Sequence, residues 1–95
     1  MLILISYDIK FDSNGQTRLR KIAKECMNYG QRVQNSVFEC EMDMTEARLL
    51  ENRLKKIINL ECDSVRFYFL GSYDKIKFRH IGIRKGIDIN DTVIV

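Results

Sequence analysis

The sequence has a single histidine, His80, and three cysteines, Cys26, Cys40 and Cys62, in 95 residues. A lone histidine with no serine or cysteine beside it in a recognisable pattern argues against a nucleophilic triad, or a histidine-pair nuclease, within one chain. An odd number of cysteines without C-x-x-C spacing indicates neither a disulfide framework nor a zinc site, and a reducing cytoplasm fits that usage. Long apolar runs are missing too. No stretch approaches a membrane span, and the N-terminal run lacks the basic leader and small-residue cleavage site of a signal peptide. The expected location is therefore cytoplasmic, with no membrane partner. Charge of one sign is also scarce: a net charge of +3 does not announce a nucleic-acid partner, so any basic surface has to be local. Nothing repeats internally and no segment is low in complexity.

What is present is an ordinary balance for a water-soluble domain, 45% hydrophobic and 31% charged. The length suits one domain with a single core between two layers, and a chain this short often gains stability by associating. The run Leu2-Ile3-Leu4-Ile5 leading into Ser6-Tyr7-Asp8 reads as a strand covered on both faces, the central strand of a sheet. A carboxylate where such a strand emerges stands on rigid backbone and can present oxygens to a metal ion and to phosphate. Asp8 is thus the first candidate site residue, against the plainer alternative that it caps the turn into Ile9-Lys10-Phe11.

Asp12-Ser13-Asn14-Gly15 is a turn cluster, and the helical spacing after it runs to about Tyr29, with Gly30 as the expected stop. Leu19, Ile22, Ala23, Cys26 and Met27 share one face of that helix. In the interval it opens, Arg18, Arg20, Lys21, Lys24 and Arg32 stand against one acid, Glu25. Such a run is either a solvated face or a phosphate-binding strip. In Gln31 to Met42 the alternation changes phase near Asn35-Ser36, passing from Val33 to Phe38, Cys40 and Met42, which predicts a short hairpin or a bulge. Asp43-Met44-Thr45-Glu46 carries capping chemistry for a second helix with Ala47, Leu50, Leu54, Ile57 and Ile58 inward. Arg53, Lys55 and Lys56 near its end suit the helix dipole. Glu61-Cys62-Asp63 reads as a linker, followed by a strand from Ser64 to Gly71 with Val65, Phe67 and Phe69 on one face. Tyr68 falls on the other, which argues for core packing over a base-stacking platform. Lys75 to Ile81 and Thr92-Val93-Ile94-Val95 read as further strands.

The order strand, helix, strand, strand, helix, strand predicts an α+β, ferredoxin-like βαββαβ sandwich. Two helices cover only one sheet face, while the first strand is apolar on both. The open face is therefore expected to meet a second copy in a two-fold homodimer. Residues 1–81 form the expected domain, and 82–95 a tail whose strand at Thr92 to Val95 packs on the partner's sheet edge.

Tyr7-Asp8 closing the first strand, the basic helix with Arg18 and Arg20, the stretch Arg32-Val33-Gln34-Asn35-Ser36-Val37-Phe38-Glu39-Cys40-Glu41, and Asp63-Ser64-Val65-Arg66-Phe67-Tyr68 together resemble the small CRISPR-associated protein two family, over residues 1–81. The Arg-Val-Gln-x-Ser-Val-Phe-Glu pattern is the specific part. The resemblance implies a homodimeric endonuclease, dependent on Mg²⁺ or another divalent cation such as Mn²⁺, acting on RNA or double-stranded DNA. It also implies a place in the complex that inserts spacers into CRISPR arrays, and so an integrase subunit as partner. The family's metal-binding and catalytic aspartate falls on Asp8, and its basic positions on Arg18, Arg20 and Arg32. Its serine and phenylalanine fall on Ser36 and Phe38, with Tyr7 as a further support position. Lys24 joins the nucleic-acid-binding candidates through the basic face. Ser36 has an equally plain role in fixing the strand reversal, and Phe38 suits packing. One aspartate is thin for Mg²⁺, which takes one or two carboxylates plus waters and phosphate oxygens; a dimer supplies the second. Two other readings compete: a duplex-DNA-binding adaptor without chemistry of its own, and a ferredoxin-like toxin ribonuclease.

Overall fold

A computed structural model describes residues 1–71 and 77–83. Five strands and two helices follow in the order β1 (Leu2–Asp8), α1 (Gly15–Cys26), β2 (Gly30–Gln34), β3 (Val37–Glu41), α2 (Met44–Ile57), β4 (Ser64–Phe69) and β5 (Lys77–Gly82). They form one antiparallel sheet in the order β2-β3-β1-β4-β5. The first four strands have the ferredoxin-like arrangement, with β1 central. Lys77–Gly82 adds a fifth at the β4 edge and runs one residue beyond the expected boundary at 81. The expected strand at Thr92 to Val95 lies outside the described residues.

Alternation in the strands divides the sheet into two faces. Ile3, Ile5 and Tyr7 of β1, Phe38 and Cys40 of β3, Val65 and Phe67 of β4, and Ile81 of β5 point into the core. There Ile22, Ala23 and Cys26 of α1 and Ala47, Leu50 and Leu54 of α2 meet them. Each fully buried Leu, Ile or Phe contributes about 1.5–3 kcal/mol relative to exposure, which makes this layer the main source of stability. The opposite face carries Leu4, Ser6 and Asp8 beside Tyr68, Arg66 and Ser64, which in turn face Phe78, His80 and Gly82. Among the described residues no helix lies over it.

α2 starts as its sequence indicates. The Asp43 carboxylate accepts from the Glu46 backbone N–H at 2.8 Å and Glu46 accepts from the Asp43 N–H at 3.0 Å, closing a capping box. α1 stops three residues earlier than the spacing predicts: Met27 turns outward and Tyr29 leads into the sheet. Gly30 opens β2 instead of ending the helix, because it pairs with Cys40 so closely that a Cβ would strike the Glu39 carbonyl. Asn35 and Ser36 form the reversal between β2 and β3, and the register slips between Arg32 and Gln34, leaving Val33 exposed. The phase change in the sequence thus marks both a turn and a bulge.

Two buried acids tie the layers together. Glu51 of α2 receives Arg79 of β5 through both carboxylate oxygens, at 2.9 and 3.0 Å, with Lys55 at 3.6 Å. Asp63, placed in a linker by the sequence reading, is 0% exposed. Its carboxylate accepts from the backbone N–H groups of Asn59 and Lys10, both at 2.8 Å, and from Arg18 at 2.7 Å. Its carbonyl accepts from Ile83, and a Cβ on Gly82, which has φ +93°, would strike that carbonyl.

These contacts make stability depend on acid pH. Burial pushes Asp63 upward, but the Asn59 and Lys10 N–H groups and then Arg18 outweigh it and hold the carboxyl below its ordinary value. Glu51 is likewise lowered, burial being opposed by Arg79, Lys55 and Arg48. A carboxyl depressed in the folded state contributes stability that is present above its unfolded value and lost as pH falls through the folded one. Thermal melts below about pH 4 should therefore fall steeply for the wild type. For Asp63→Asn the fall should flatten by up to about 1.4 kcal/mol per pH unit. Identical acid limbs would show that Asp63 does not titrate with unfolding.

Candidate functional site

Asp8 is the last residue of β1, exposed on the helix-free face, directly across from Ser64. It shares a shallow hollow with Ser6, Ser64, Arg66, Tyr68 and His80. Two serine hydroxyls, the Tyr68 phenol, one carboxylate and one guanidinium therefore converge where the central strand emerges, which is hydrogen-bonding equipment suited to a phosphate and its water. Arg66 lies over the Phe78 ring at 4.5 Å and its Nε and Nη2 reach His80 Nδ1 at 3.3 and 3.1 Å. His80 Nε2 meets the Ile83 carbonyl at 2.9 Å. That pattern requires Nδ1 as acceptor and the proton on Nε2. With both ring nitrogens engaged, His80 orients Arg66 and is not set up as a base.

The basic candidates assemble elsewhere. Arg32 pairs with Phe38 on the helix-covered face and its guanidinium stands 5.5 Å from the Phe38 ring. Together with Arg20, Lys21 and Lys24 of α1 it lines a groove between that helix and the β2–β3 hairpin, floored in part by Tyr7 and Leu19. The structure thus brings Arg20, Lys24 and Arg32 together, but on the other side of the sheet from Asp8. Arg18 joins neither group: its Nε reaches Asp63 at 2.7 Å and its Nη2 reaches Asp12 at 3.1 Å. Opposing carboxylates push its already high pKa higher still, Asp12 first and Asp63 next, so the charge is permanent and already matched.

Tyr7 connects the two regions, since it lines both hollows. Its hydroxyl donates to the Asn35 carbonyl at 3.3 Å, and its backbone N–H to the Ser36 carbonyl at 3.0 Å. Burial pushes the phenol above its ordinary range against the pull of Arg32, so it stays a proton donor at neutral pH. Ser36 therefore meets β1 through its carbonyl. Phe38 is buried, 6.2 Å from the Tyr7 ring, and packs the core. Nothing in the sequence alone marks Arg66 and Ser64 as site residues. Alternation puts them on the Tyr68 face, but only the register against β1 sets them beside Asp8.

Among the described residues no three His, Cys, Asp or Glu side chains cluster as a metal site. Asp8 alone fits the sparse carboxylate demand of Mg²⁺ only if waters, phosphate or a second copy complete the shell. Among the described residues no helix is long and apolar enough to cross a membrane.

Comparison with known proteins then decides the family. The model for CRISPR associated protein Cas2 matches residues 1–77. The chain belongs to the Cas2 family. It is 53% identical over 95 residues to the CRISPR-associated endonuclease Cas2 of Halalkalibacterium halodurans, with 99% of each chain covered. It is 47% identical over 96 residues to the CRISPR-associated endoribonuclease Cas2 of Nitratidesulfovibrio vulgaris, covering 100% of this chain and 94% of that one. The crystal structure of Streptococcus pyogenes Cas2 at pH 6.5 superposes with a TM-score of 0.71 at 49% identity, covering 75% of this chain and 87% of that one. The expected ferredoxin-like α+β fold of a Cas2 protein is therefore present in this chain.

The groove yields a direct expectation. Phosphate contacts release counterions without reading bases, and each Lys or Arg contributes about one unit of salt slope. Replacing Arg20 and Lys24 by Gln should lower the slope of log affinity against log salt by about two for any duplex sequence. Binding isotherms between low and moderate salt check this; an unchanged slope would mark the groove as a solvated face.

Proposed function

We propose that this Cas2-family chain works as a homodimeric, divalent-metal-dependent endonuclease on RNA or double-stranded DNA, serving spacer acquisition in antiviral defence beside the CRISPR integrase. The observation that carries the reading is Asp8, held at the end of the central strand on the helix-free face among Ser6, Ser64 and Arg66. Its support is chemical: phosphodiester hydrolysis needs an anion-tolerant, water-accessible carboxylate on rigid backbone, with hydrogen-bond donors beside it.

The second copy follows from the same face. Leu4, Tyr68 and Phe78 form a continuous half-buried apolar row, with the Tyr68 and Phe78 rings 6.2 Å apart. A second copy covering that row would bring its own Asp8 toward the first, giving the pair of carboxylates that Mg²⁺ or Mn²⁺ accepts. When bound, the ion supplies Lewis-acid activation of the phosphate and of water. The chain's own residues do the rest. Ser6 and Ser64 offer hydroxyls to phosphate oxygens or water, and Arg66 is held by Phe78 and His80 where negative charge gathers. Arg20, Lys24 and Arg32 grip the backbone on the far side of the sheet. A cytoplasmic setting accords with three free cysteines.

That separation of grip from carboxylate also favours the adaptor reading, in which the basic grooves hold duplex DNA for the integrase and Asp8 is idle. Asp8→Asn distinguishes the two. The variant should stay dimeric in sedimentation and bind duplex DNA in chelator as the wild type does. It should lose the Mg²⁺-induced rise in Tm and cut at least about a hundredfold more slowly, since even outer partners of metal ligands cost ten- to a hundredfold. Equal cleavage by Asp8→Asn and wild type would remove Asp8 from the chemistry; intact integration with cleavage lost would favour the adaptor as the physiological role.

A further inference from the structure

We propose that Asp63 and Arg18 form a positioning pair for Asp8, and that Arg18 is part of this clamp instead of a contact to the nucleic-acid backbone. Only the role of Asp8 rests on the nuclease reading above; the pair itself stands on geometry. Asp63 is 0% exposed, and a buried carboxylate is tolerated only when its oxygens are matched by donors. Three segments supply them: Asn59 at the exit of α2, Lys10 two residues after Asp8, and Arg18 on the first turn of α1. Asp63 also immediately precedes Ser64, the residue paired across from Asp8. One carboxylate therefore fixes the chain on both sides of Asp8: the turn that follows it after β1 and the neighbouring strand that begins opposite it. Arg18 Nε and Nη2 reach the two Asp63 oxygens at 2.7 and 3.3 Å, a forked contact that a lysine cannot reproduce. Its side chain is 12% exposed, which leaves little of it for a bulky polyanion.

The two roles make opposite demands on Arg18→Lys. A phosphate contact tolerates lysine, which serves as a point charge; a forked clamp on a buried carboxylate does not. The experiment compares wild type, Asp63→Asn, Arg18→Lys and the double variant on defined RNA and duplex DNA. Cleavage is followed over a range of Mg²⁺, with binding in chelator and Tm with and without Mg²⁺ on the same preparations. Each single variant should lower kcat about tenfold or more while KM stays within about twofold, because a displaced reacting group costs rate more than binding. The double variant should be no slower than the slower single, since both break one device. Both should shrink the Mg²⁺-induced Tm rise, while affinity in chelator and its salt slope stay as in the wild type. Wild-type kcat in Arg18→Lys would overturn the proposal, as would losses that multiply in the double variant. A further variant, Arg18→Gln, removes the charge altogether, and a salt slope lowered by about one in it would overturn the proposal as well. If Asp63→Asn does not fold, Arg18→Lys still decides, because it retains the charge facing Asp63. If the wild type cuts neither substrate at any Mg²⁺ concentration, the nuclease reading fails; the Tm rise and the salt slope then decide the pair separately.

Discussion

A buried carboxylate with too few donors is among the costliest things a small domain can contain, and Asp63 is kept charged by three segments that would otherwise be independent. Its donors come from the end of α2, from the turn after β1 and from α1, while its own backbone opens β4 and receives Ile83 just beyond β5. Ionisation and geometry therefore depend on each other: the site stays ionised because the donors are in place, and the donors are in place because the carboxylate is ionised. A hydrophobic core alone would stack helices on the sheet with some tolerance in how far β1 extends past its partner. The Asp63 clamp removes that tolerance at the end of β1 that carries Asp8. Glu51 and Arg79 do a parallel job between α2 and the β5 edge, where the core offers only Ile81.

The legibility of this arrangement in the sequence follows the range of the interactions. Short-range devices can be read directly: the capping box at Asp43 and Glu46 and the reversal at Asn35-Ser36 have their partners within a few residues, and the apolar run of β1 is legible from its composition alone. The end of α1 is not legible locally, because Met27 and Tyr29 continue a helical spacing and nothing nearby in the chain reveals that Gly30 must approach β3 too closely for a side chain. Arg18 had the composition of a phosphate contact for the same reason, as its partner Asp63 is 45 residues away. Asp63 reads as a linker residue because acids before strands commonly are. The exposed end of β1 at Asp8 was readable, whereas its company of Ser64, Arg66 and His80 depends on strand register, which a period of two does not specify.

The two faces of the sheet divide the candidate chemistry in a way the sequence conceals. Basic residues that are near neighbours in the chain, Arg18 to Arg32, look like one strip; in the structure Arg18 turns to Asp63 while Arg20, Lys24 and Arg32 line a groove on the helix side. Asp8 and Arg66 occupy the opposite side. A net charge of +3 then understates the local field, since the groove concentrates cations with Glu25 drawn away to Arg53 at 3.3 Å.

This division bears on how one nucleic acid would engage both parts. In the proposed dimer the helix-free faces meet, so the two basic grooves point outward, away from the two-fold axis, while the two Asp8 carboxylates approach it. A backbone held in one groove would have to pass around the end of β1 to reach the carboxylates, and Tyr7, which lines both hollows, sits at that passage with its hydroxyl tied to Asn35. A stiff duplex resists so short a bend, with a persistence length of about 150 base pairs, whereas a single strand follows it easily. On the proposed dimer, gripping without cutting would be the outcome for an undistorted duplex, and cutting the outcome for a flexible or opened strand. If the proposed dimer holds, the adaptor and nuclease readings would be two outcomes of one geometry, with the flexibility of the substrate deciding between them.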